Sequence, residues 1–139
     1  MTSSQNQPLW ITNAILIGVV YSVIGILFAA PTTQVQAWRF AAWVACALVY
    51  ATHIWYEYFR VRNSAKVAAL HVAIAVGIGA LGLAVGAIVH SLFAPPEYSR
   101  MRFLLALVIW PLVTGLPAFL VALVITLFLN LFRPNRSTT

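Results

Sequence analysis

The chain has 139 residues, of which 63% are hydrophobic and 7% charged, and it carries a formal net charge of +6. A soluble domain is about a quarter charged, so this composition excludes one and fits a polytopic membrane protein. The excess of positive charge does not point to nucleic acid, because the basic residues lie at the ends of apolar runs, where they anchor to headgroups and set orientation.

Four apolar runs of spanning length follow one another, at about 9–29, 37–59, 66–93 and 103–132. The expected fold is all-α: a four-helix transmembrane bundle, a single domain over 1–139, with no length left for an extramembrane domain. The partner this implies first is the lipid bilayer.

The first run is preceded by a polar stretch, 1–8, with no Lys or Arg. The positive region of a secretory signal is missing there, so the run reads as a retained helix. Ala14, Gly18, Ser22, Gly25 and Ala29 form a stripe of small residues along it, suited to close helix packing. Trp10 stands where an interfacial aromatic is expected. Pro31 ends the helix, and residues 32–36 read as a polar loop.

The second run is the polar one. Arg39, Cys46, Tyr50, His53, Glu57 and Arg60 fall on one stripe, with Ala41, Ala45, Leu48, Thr52, Trp55 and Phe59 opposite. Tyr50 and Glu57 are its intramembrane polar groups. The single cysteine, Cys46, excludes an intrachain disulfide. The turn at 60–66 is short, so the second and third helices form an antiparallel hairpin, with Ser64 as a candidate N-cap.

The third run has two distinct faces at helical spacing. Ala68, His71, Ala75, Gly79, Gly82, Gly86 and His90 line one, and Val67, Leu70, Ile74, Ile78, Leu81, Val85, Ile88 and Leu92 line the other. The small face, through Ala75, Gly79, Gly82 and Gly86, admits another backbone or a flat ligand, as Gly18 and Gly25 do on the first helix. Gly77-Ile78-Gly79-Ala80-Leu81-Gly82 matches G-x-G-x-x-G, but a dinucleotide site needs a preceding strand, and this stretch lies inside an apolar span.

Pro95-Pro96 breaks the chain before the fourth helix, which contains Pro111 and Pro117 and should bend there. Its contact stripe is Pro111, Gly115, Ala118, Ala122, Thr126 and Asn130. With both termini cytoplasmic, Arg60, Arg62, Lys66, Arg133 and Arg136 lie inside and Arg39, Arg100 and Arg102 outside. Five against three favours that orientation.

His53, Glu57 and His71 form the sharpest cluster, because ionisable groups inside a membrane are costly and mark function. Three readings of it compete. Glu57 pairs with Arg60 or Arg62, and the histidines serve backbone or headgroups. An imidazole of His71 or His53 is the axial ligand of haem b or a chlorophyll-type pigment, the two rings forming a pair across the hairpin. The cluster binds a transition metal or relays protons. His90 lies roughly 28 Å from His71 along the helix, where a second ring would rest on Gly82 and Gly86.

No nucleophile elbow, Ser-His-Asp set or Cys-x-x-Cys is present, so the chain reads as non-enzymatic. The leading function is a membrane subunit whose small-residue faces pack against each other and against partner helices, in a homo- or hetero-oligomer. A tetrapyrrole-binding protein using His71, His53 and His90 is the main alternative, and a small proton-coupled carrier or channel using Glu57 is the third.

Overall fold

The computed structural model describes residues 7–29, 33–92 and 100–132. The tail at 1–6, Pro31, the Pro95-Pro96 break and the arginines at 133 and 136 lie outside them. The described residues form four helices and no strand: α1 (Gln7–Ala29), α2 (Val35–Trp55), α3 (Ala65–Leu92) and α4 (Arg100–Leu131). A six-residue π-helical segment, Tyr56–Val61, continues α2. The chain enters α2 through Gln34 and leaves the π segment through Arg62, both in the left-handed region at φ 53° and 59°. The Arg62 and Asn63 amides both donate to the Glu57 carbonyl, which closes the end of the segment.

The register of contacts fixes the directions of the helices. Gly18 faces Ala75 and Ile78, Tyr21 faces Gly79, and Gly25 faces Leu83, so α1 and α3 run parallel. Gly115 approaches the Ala73 carbonyl and Gly77 approaches Pro111, so α3 and α4 run antiparallel. Ser22 Oγ ties the α1–α3 seam by donating to the Gly79 carbonyl at 3.1 Å. Tyr50 on α2 donates to the Ala118 carbonyl at 2.5 Å, and Tyr58 to Asn130 Oδ1 at 2.9 Å. The core lies where α2, α3 and α4 meet, around Ile54, Ala69, Val72 and Ala122. Thr126, fully buried, donates to the Ala122 carbonyl within α4 at 2.8 Å.

Leu9–Ala29, Ala65–Leu92 and Leu104–Leu131 are long and apolar enough to cross a membrane, with mean hydropathies of 2.2, 2.5 and 2.5. α2 is not among them, because Arg39, His53 and its glutamine lower its hydropathy. The connectivity supplies what composition does not. α1 and α3 run the same way in contact, so the segment joining them must return through the same thickness. Trp43 and Phe40 on α2 are 78% and 72% exposed, as lipid-facing side chains are. The protein is therefore a multi-pass, four-helix transmembrane bundle.

One face differs from the periodicity reading of α3. Ile78, assigned to the aliphatic face, sits against Gly18 on the small-residue seam. Val67, Leu70, Leu81 and Val85 on that same aliphatic face are exposed. The missing side chain at Gly18 opens a notch, and a branched residue on the flank of α3 fills it.

Candidate functional site

The site is assembled by the end of α2, the π segment, the turn and the second helical turn of α3. His53 is 2% exposed and stands one turn before Glu57, which is also 2% exposed. A π-helical turn is wider than an α-helical one, and here Glu57 and Tyr58 are both buried, one meeting α3 and the other α4. The hairpin then returns the chain so that His71, 9% exposed, faces the carboxylate.

The carboxylate is engaged on both oxygens. Asn63 Nδ2 donates to Glu57 Oε2 at 2.6 Å. His71 Nδ1 lies 3.1 Å from the same oxygen and donates to it as an N–H, the tautomer the network requires. His53 Nε2 approaches Oε1 at 3.8 Å, an ion-pair distance longer than a hydrogen bond. His53 Nδ1 is buried without a hydrogen-bond partner. Trp10 stacks on the His71 ring at a centroid distance of 4.6 Å and 3° between planes. Its face gains attraction when the imidazole is charged.

The contact partners therefore differ from the first sequence reading. Glu57 is held by two histidines and an asparagine, while Arg60 and Arg62 are exposed. Asn63 and the stacking role of Trp10 are not anticipated by the sequence. An amide in a short turn six residues after a helical carboxylate is the signal for the first. Trp10 looks like an ordinary interfacial aromatic until α1 is known to run beside α3.

The two rings expected to pair across the hairpin converge on one carboxylate, His71 on Oε2 and His53 toward Oε1. Of the two glycines placed beside a ring at His90, Gly82 lies against Ser22 of α1, while Gly86 has only Ile26 near it. His90 itself is exposed at the far end of α3. Gly79 lies against Tyr21, and Ala75 is buried in the same seam. Among the described residues, no three His, Cys, Asp or Glu side chains are placed to hold a metal ion.

No protein-family model matches the chain, and neither the curated proteins nor the solved structures give a match. What the arrangement can do is thus read from its chemistry. It is a buried acid with two bases against it, His71 at hydrogen-bond distance and His53 at ion-pair distance. An apolar surround raises the cost of each charge that is left unpaired.

Proposed function

We propose that the protein is a non-enzymatic membrane protein that handles protons at Glu57, as a small proton-coupled carrier or channel. The observation carrying this reading is the burial of Glu57 between His53 and His71 in a chain with only two acidic residues. A membrane protein keeps an ionisable group at such a position when the group works. Protonating Glu57 removes the negative charge that strengthens the Asn63 and His71 hydrogen bonds, so the main side-chain tie across the α2–α3 turn weakens. A proton is thereby linked to the relative position of two helices.

The reading as a packing subunit of a larger assembly has less support. The small faces of α1 and α3 are spent on each other, at Gly18, Gly79 and Gly82. The outward residues of α4, such as Leu116, Leu120 and Val124, suit lipid as well as a partner helix.

Infrared titration in lipid bilayers tests the proton reading at its source. Glu97 is the other acidic side chain, so Glu97→Gln leaves Glu57 as the sole side-chain carboxyl. A protonated carboxyl band should grow reversibly as pH falls and be missing from the protein that also carries Glu57→Gln. If the two spectra stay the same over the whole pH range in which the helices remain folded, Glu57 does not exchange protons and the reading fails.

A further inference from the structure

A groove of about 530 Å³ runs between α1 and α2, beside the cluster but separate from its hydrogen bonds. Asn13 and Ile17 line it from α1, Leu48, Val49 and His53 from α2, and Tyr56 from the start of the π segment. Leu48 and Tyr56 are exposed at its rim, at 65% and 39%, so the groove opens sideways toward the surface that lipid covers. Its volume lies within the range of sites for small organic ligands. No charged side chain lines it, which disfavours an ionic headgroup.

His53 gives the groove its chemistry. The Glu57 carboxylate faces Nε2 and so favours the tautomer with hydrogen on that nitrogen. Nδ1 is then a lone-pair acceptor, and it is buried with no donor. Thr52, the neighbouring hydroxyl of the groove, already donates to the Leu48 carbonyl at 2.8 Å. A buried acceptor left unpaired is costly, so the site is completed by an occupant that donates.

We propose that this groove binds a neutral, bilayer-soluble alcohol or phenol. Its hydroxyl donates to His53 Nδ1 and accepts from the Asn13 amide, and its hydrocarbon body lies along Ile17, Leu48 and Val49. The inference needs Glu57 only as a fixed charge opposite Nε2 and does not depend on proton movement. Its failure would leave the proton reading standing, and the converse holds.

The test uses the full chain in phosphatidylcholine vesicles with a diazirine-bearing long-chain alcohol as photoprobe. Labelling should map to the segments around Asn13–Ile17 and Leu48–Tyr56 and saturate. Unlabelled alcohol should compete about tenfold better than its methyl ether, which cannot donate. His53→Ala should abolish that difference. Val49→Trp, which fills the groove without touching the cluster's hydrogen bonds, should abolish labelling and covers the case in which His53→Ala does not fold. Equal competition by alcohol and ether, or labelling that neither saturates nor responds to Val49→Trp, would overturn the proposal and leave water as the partner of Nδ1.

Discussion

At the scale of single residues, the cluster is a set of unequal supports around one carboxylate. Asn63 makes the shortest contact, at 2.6 Å, and it is a charge-assisted hydrogen bond. Asn63→Ala should cost about 1.5–3 kcal/mol, typical of a bond to a charged group, read as a lower melting temperature in detergent. His71→Ala should cost more, about 3–5 kcal/mol, because it strips a buried charge of its closest base and uncovers the Trp10 face on which the imidazole stacks. Glu57→Gln keeps an acceptor oxygen for Asn63 and should be milder than His71→Ala. Equal losses in all three would mean that the carboxylate is not the hub. His53, Glu57 and His71 were legible in the sequence, because a spacing of four and equal depth from a short turn put them at one level. Asn63 was not, since its role depends on the backbone reversal at Arg62, which no residue type there announces.

At the scale of elements, the π segment and the α1–α3 seam do the positioning. Neither was fully legible. A π turn leaves no mark in hydrophobic periodicity, so the second helix reads as one continuous α-helix to about residue 59, whereas the α-helix ends at Trp55. The small faces were legible, but which glycines carry the contact depends on the partner's register. A carbon added at Gly79 would meet Tyr21 Cβ at 2.5 Å and the Gly18 carbonyl at 3.3 Å. One added at Gly18 would meet Ile78 Cγ2 at 2.5 Å and the Ala75 carbonyl at 3.0 Å, and one at Gly82 would collide with Ser22. Gly86 differs, because its added carbon would find only Ile26 Cδ1 at 3.9 Å. Gly18→Ala and Gly79→Ala should therefore each cost about 1–3 kcal/mol through overpacking, while Gly86→Ala should leave the melting temperature unchanged or raise it. A melting series in which Gly86→Ala is the most damaging would refute this seam. The same register explains why Ile78 sits in the contact: α1 brings its own notch, and the sequence of α3 alone holds no record of it.

At the scale of the whole molecule, the parallel course of α1 and α3 makes α2 a crossing helix despite its lower hydropathy. That connectivity, with the basic residues Arg60, Arg62 and Lys66 at the α2–α3 turn and Arg39 at the opposite end of α2, predicts that the turn faces the cytoplasm. Cysteines placed at Arg62 and at Thr33, in a Cys46→Ala background, should react with a membrane-impermeant thiol reagent from opposite sides of the membrane. Reaction of both from one side would contradict the four-span topology. The cluster then lies toward the cytoplasmic end, with Tyr50, Cys46 and Tyr21 as the polar side chains further into the bundle, and Tyr21 hydroxyl is buried without a hydrogen-bond partner. In the proposed function a proton crossing between the two sides passes Glu57, and that makes its flux the most direct measure of the proposal. Protein reconstituted into liposomes with a pH-sensitive dye inside should collapse an imposed pH gradient faster than empty liposomes do. Glu57→Gln, reconstituted at the same density, should return the rate to that of empty liposomes. A wild-type rate equal to that of empty liposomes, or a Glu57→Gln rate equal to that of the wild type, would contradict it.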